Sequence, residues 1–121
     1  METLEYLSFR PNLPVKDLEL ATAFYRDIIG LDVTQLAPEY GLAILAKGGA
    51  EVAVFLHPNP VSQGAYVYVK GVDALYSICQ SKGAEINREL TTHPYGIRDF
   101  VVKDPDGHLI GIGEKVSDQE S

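Results

Sequence analysis

The sequence predicts an α+β fold: two tandem βαβββ modules whose strands form a curved mixed sheet around a cleft. Three observations predict it. Hydrophobic periodicity reads as strand, helix and three strands, and that order occurs twice. The two helices have matching entries and exits. Val15-Lys16-Asp17 leads into the first as Val69-Lys70-Gly71 leads into the second, and Gly30-Leu31-Asp32-Val33 leaves the first as Gly83-Ala84-Glu85-Ile86 leaves the second. Entry and exit are displaced by nearly the same interval, the mark of a duplicated unit. Finally, 121 residues suit one structural domain built from two half-size modules, residues 1–60 and 61–121.

Leu4 to Val15 reads as extended, because Pro11 and Pro14 exclude a helix there. Asp17 is a fitting N-cap for a helix running to Ile29, and Gly30 is a fitting stop. Leu18, Ala21, Tyr25 and Ile28 lie on its apolar face, widened by Phe24 and Ile29. Strand-like runs follow at Leu31–Leu36, Leu42–Ala46 and Val52–His57, broken by Pro38-Glu39-Tyr40-Gly41 and Gly48-Gly49. The polar stretch from Pro58 to Gly64 links the halves. Ala65–Val69 alternates as a strand. Val72, Leu75, Tyr76 and Cys79 face one side of a second helix ending near Gly83. Extended runs at Ala84–Leu90, Ile97–Val102 and His108–Ile112 complete the repeat. Asp104-Pro105-Asp106-Gly107 between the last two suits a type I turn.

Composition narrows the function. Hydrophobic residues make up 45% and charged residues 22%, and the net charge is -7. An acidic chain is a poor ligand for nucleic-acid backbones or an anionic membrane surface, and suits a cationic partner better. The single cysteine, Cys79, excludes an intrachain disulfide and a multi-cysteine zinc site, and its place on an apolar helix face reads as structural. No run is long enough for a membrane span and no signal-peptide pattern is present, so a cytoplasmic location is expected. No serine lies in a G-x-S-x-G context, and Gly48-Gly49 lacks the lysine of a phosphate loop. Asp104 and Asp106 belong to a turn.

Two stretches carry a family resemblance. Asn12-Leu13-Pro14-Val15-Lys16-Asp17-Leu18, Ala23-Phe24-Tyr25-Arg26-Asp27 and Gly30-Leu31 resemble the opening of the vicinal-oxygen-chelate superfamily, which includes glyoxalase I, extradiol dioxygenases and the fosfomycin and bleomycin resistance proteins. Tyr95-Gly96-Ile97-Arg98-Asp99-Phe100 and Asp104-Pro105-Asp106-Gly107-His108-Leu109-Ile110 resemble its closing signature. The resemblance is greatest to the bleomycin resistance branch, through Gly64–Tyr76, His93-Pro94-Tyr95-Gly96 and Pro11. It implies paired βαβββ modules and a homodimer. Pro11 matches a proline hinge associated with exchange of the N-terminal strand between subunits.

The resemblance also designates metal-ligand positions, which fall on Arg10, Gly64, Gly111 and near Val54. None offers a metal-ligating side chain, and Arg10 would repel a cation. The histidines are scattered: His57 and His108 at opposite ends of their strands, His93 in a loop. No metal and no cofactor are expected.

The aromatic residues are the alternative source of a site. Tyr66 and Tyr68 alternate on one strand and so share a face. Tyr40 and Tyr95 sit in turns beside glycines. Such rings can stack on a planar or cationic ligand, and the resemblance implies that role at Tyr40, Tyr66 and Tyr95. The expected ligand-binding set is Arg10, Tyr40, Phe55, His57, Tyr66, Tyr68 and Tyr95, with Arg98 and Asp99 as further polar candidates. Arg10 would present a cation to an anionic or carbonyl group, or pair with Glu51. The expected function is metal-independent sequestration of a small aromatic or cationic natural product, such as a bleomycin-like antibiotic. The alternative is a metal-dependent glyoxalase-, lyase- or dioxygenase-like enzyme with rearranged ligands.

Overall fold

The structure, a computed structural model, describes residues 3–116. The outermost residues of the two predicted modules, 1–2 and 117–121, lie outside that range. Strands β1 (Asn12–Val15), β2 (Asp32–Ala37), β3 (Leu42–Lys47) and β4 (Ala50–Leu56) form one sheet in the order β1-β4-β3-β2. Strands β5 (Gly64–Tyr68), β6 (Glu85–Thr92), β7 (Ile97–Lys103) and β8 (Leu109–Lys115) form the second in the order β5-β8-β7-β6. In each sheet the first strand runs parallel to the last, and the other pairs are antiparallel. The repeat seen in the sequence is therefore a repeat of topology.

Helix α1 (Leu18–Ala23) starts where Asp17 accepts a hydrogen bond from the Leu20 amide at 2.9 Å. It then widens into a π-helical turn over Phe24–Ile29. The predicted single helix is thus two kinds of helix in succession. The wider turn brings Phe24 and Tyr25 into the core together, and their rings meet edge to face at 5.0 Å. Gly30, at φ 95°, closes the turn with its amide on the Tyr25 carbonyl. Helix α2 (Val72–Ser81) has no side-chain cap of its own. Glu114 of β8 supplies one, its Oε1 accepting from the amides of Gly71 and Val72 at 3.0 Å each.

The core lies between helices and sheets. Leu13, Val15, Leu45 and Val54 from the first sheet meet Phe100, Val102 and Ile112 from the second, all almost fully buried. Cys79 belongs to this core, and burial pushes its thiol up to about 11, as expected of an unreactive structural cysteine.

The two halves are joined by polar contacts at the turn before β8. His108 is fully buried. Its Nδ1 faces the Gln63 amide at 2.9 Å and its Nε2 faces the Pro14 carbonyl at 2.6 Å. An amide can only donate and a carbonyl can only accept, so the ring carries its hydrogen on Nε2. Asp104 accepts from the Tyr25 hydroxyl at 2.7 Å and from the amides of Asp106 and His108. Asp106 accepts from the Lys16 amide at 2.8 Å. The carboxylates of the Asp104–Gly107 turn thus hold the second half to both ends of the first helical segment.

Candidate functional site: an aromatic wall on a glycine floor

The face of each sheet turned away from the helices carries the side chains between the core positions. On the second sheet, β8 presents Gly111 and Gly113 there. Across the parallel ladder they pair with Tyr66 and Tyr68 of β5. The Tyr66 ring lies flat over this glycine floor. A Cβ at Gly111 would stand 2.7 Å from Tyr66 Cε1, and one at Gly113 would stand 2.9 Å from Cζ. These glycines are required by space.

The Tyr66 hydroxyl donates to Asp99 Oδ2 at 2.6 Å. Asp99 is 5% exposed and has two further partners: Arg88 at 2.6 Å and His93 Nε2 at 2.7 Å, both on Oδ1. Burial alone would raise this carboxyl. The hydrogen bonds from Tyr66, Arg88 and His93 outweigh it and hold the group below the usual carboxylate range. The Tyr66 phenol is pushed well above its ordinary value, by burial first and then by its bond to Asp99.

Two more aromatics complete the wall. Tyr68 meets Tyr66 edge to face at 5.1 Å, and Lys115 Nζ sits 5.3 Å from the Tyr68 ring centre. Tyr95, 70% exposed, stacks in parallel on His93 at 4.9 Å. One cluster therefore holds Tyr66, Tyr68, Tyr95, His93, Asp99 and Arg88.

A cavity of about 670 Å³ is lined by Tyr66 and Tyr68 together with Ala65, Val67, Phe9 and Pro11, while His93, Tyr95, Asp99 and Arg88 lie outside its lining. Tyr66 also borders a second, more open depression shared with Arg88 and Gly111.

The other expected residues lie on or beside the first sheet. Phe55 is on the face of β4 turned away from the core, paired with Pro14 and Leu42. Tyr40 is exposed on the 3-10 turn Pro38–Tyr40. His57 follows β4, and its Nδ1 accepts from the Asn59 amide at 3.0 Å, closing the turn there. Arg10 is exposed and bonds Asn12 Oδ1 at 2.9 Å; that contact, and not the one with Glu51, is the pairing seen. Tyr40, Phe55 and His57 are thus on a different sheet from the tyrosine wall. Arg98 forms a surface ion pair. It points to the helix side, where it pairs with Asp73 of α2 at 2.8 Å and reaches Thr92. Alternation along β7 sends Arg98 and Asp99 to opposite faces.

The designated metal positions do not fit a metal. Arg10 is cationic, Gly64 and Gly111 have no side chain, and the Tyr66 ring fills the space beside Gly111. Val54 points into the core. Its neighbour Ala53 is the residue on the other face, pairing with Asn12 as Gly111 pairs with Tyr66. Among the described residues no group of three or more His, Cys, Asp or Glu is placed to hold a metal ion. The sequence reading missed Arg88 and His93 as partners of Asp99. Arg88 gave no local sign, because the register of β6 against β7 shifts on both sides of it.

Fold and sequence together place the chain in a family. Residues 6–112 match the model of the Glyoxalase/Bleomycin resistance protein/Dioxygenase superfamily, and the chain belongs to it. Among curated proteins it is similar to the bleomycin resistance proteins of Geobacillus stearothermophilus and Staphylococcus aureus. Each is 30% identical, over 88% of this chain and 95% of the relative. Among solved structures it is similar to TioX from Micromonospora sp. ML1, with a TM-score of 0.83, 23% identity and coverage of 92% of this chain and 100% of the other. A lactoylglutathione lyase from Agrobacterium tumefaciens shares the fold at a TM-score of 0.76 and 20% identity, over 93% and 95%.

Proposed function

We propose that this protein binds and sequesters a small aromatic or cationic natural product, such as a bleomycin-like antibiotic, without a metal and without changing a bond. The observation that carries the reading is the tyrosine wall. Where the family's enzymes are expected to place a ligating side chain, this chain has Gly111 with the Tyr66 ring over it. Tyr66 and Tyr68 also line a cavity large enough for a small molecule. The similarity to bleomycin resistance proteins supports the same class of ligand.

Electrostatics refines the expectation. Arg88 already neutralises Asp99, and Lys115 already occupies a face of Tyr68. The wall therefore favours the flat ring of a ligand, while the net charge of -7 attracts a cationic ligand at longer range. Tyr40, Phe55, His57 and Arg10 would contribute from the first sheet. Protection follows mass action, so the protein must match the drug in amount and hold it tightly in the cytoplasm.

A homodimer with exchanged N-terminal arms is part of this proposal. Thr3 to Arg10 has no strand partner, and Leu4, Tyr6, Leu7 and Phe9 are strongly exposed along it. An arm of that composition gains by being covered. Pro11 stands where it would leave for a second copy.

The test is a titration of tyrosine fluorescence with bleomycin and a panel of planar polycyclic antibiotics. Quenching that saturates at micromolar or lower concentration supports the reading. A flat signal across the panel contradicts it.

A further inference from the structure

His93 has no role in the expected site, yet its side chain and backbone are both held in place. Its Nε2 is pinned to Asp99, which is nearly buried and anchored by Arg88 and Tyr66. One face of its ring is covered by Tyr95, with the two planes 3° apart. Its backbone is fixed as well: the His93 amide donates to the Ile97 carbonyl, and its own carbonyl accepts from the Gly96 amide. Asp99 as a carboxylate can only accept, so Nε2 carries the hydrogen. In its neutral form the ring has a lone pair on Nδ1, and the hydrogen bond seen for the side chain is the one from Nε2. Turning the ring over would put Cε1 where Nε2 stands and break the bond to Asp99, so Nδ1 keeps its place. The side chain is 21% exposed.

We infer that His93 Nδ1, aimed by Asp99 and steadied by Tyr95, is a hydrogen-bond acceptor for a planar heteroaromatic ligand that carries a ring N–H or amino donor. This rests on the sequestration reading and adds to it a polar specificity element beside the aromatic wall. A site built to accept a hydrogen bond discriminates strongly against an analogue that lacks the donor. The ligand class follows: flat, to use the tyrosines, and donor-bearing at its edge, to satisfy Nδ1.

A matched pair of fragments tests this: indole, which has the ring N–H, and benzofuran, which has the same shape with an acceptor instead. Both are titrated at neutral pH into protein with 15N-labelled histidine, and the side-chain shifts of His93 are followed by NMR. The free protein is expected to show the Nε2–H tautomer at His93. Indole is expected to bind at least about fivefold more tightly than benzofuran, with its largest effect at His93 Nδ1. In His93→Phe, which keeps the stack on Tyr95, the preference is expected to vanish while both fragments still bind. Equal binding to the native protein, or a preference that survives His93→Phe, overturns the acceptor role alone. If neither fragment binds near Tyr95, this inference falls; quenching by the antibiotic panel then decides separately whether the sequestration reading stands.

Discussion

Tyr66 connects more of the site than any other residue, because its position depends on two glycines behind it and one carboxylate beyond it. Gly111→Ala is expected to destabilise the protein by about 1–3 kcal/mol, because the new methyl overlaps the Tyr66 ring. Chemical denaturation measures this. Tyr66→Ala made in the same chain should recover most of the loss attributable to that overlap, so the double-mutant cycle should show clear coupling; simple additivity would contradict the packing described. Asp99 gives a pH signature. Its carboxyl is held below its unfolded value, so it contributes stability at pH values above that unfolded value, near 4. The contribution is lost as pH falls through the lower, folded value. Asp99→Asn should be less stable at neutral pH and lose less stability on acidification below about pH 4.

At the scale of elements, the strands and both helices were legible because their periodicities are local properties. Val52, Val54, Leu13 and Val15 alternate as strands do, and the glycine at position 30 ends its helix as predicted. The π-helical turn was not legible. A face of Phe24, Tyr25, Ile28 and Ile29 is compatible with an ordinary helix, and only packing selects the wider turn. The site was legible in part. Alternation put Tyr66 and Tyr68 on one face, but cross-strand partners depend on register, so the union of Asp99 with Arg88 and His93 could not be read. Nor could the burial of His108, which looked like a strand-end residue. Its brace yields a prediction for the element contacts. His108→Leu strips partners from the buried Pro14 carbonyl and the half-buried Gln63 amide, and should destabilise the fold by about 1–4 kcal/mol in urea melts. Hydrogen exchange should quicken at Gln63 and across β1 first. A loss confined to β8 would contradict its role as a brace between halves.

At the scale of the whole molecule, two four-stranded sheets share one core, while the arm before Pro11 remains uncovered. No helix among the described residues is long and apolar enough to cross a membrane. A second copy is the occupant proposed. Light scattering at tens of micromolar should report a dimer, and deletion of residues 3–10 should shift it to monomer; a monomer in the full chain contradicts the exchange. The central claim is that the tyrosine wall captures a ligand without metal. Its most direct test is calorimetric titration of metal-free bleomycin into the protein in buffer containing EDTA. Saturable binding at micromolar or lower concentration is expected, weakened at least tenfold by Tyr66→Ala. Binding that is absent in EDTA and restored by a divalent ion would contradict it.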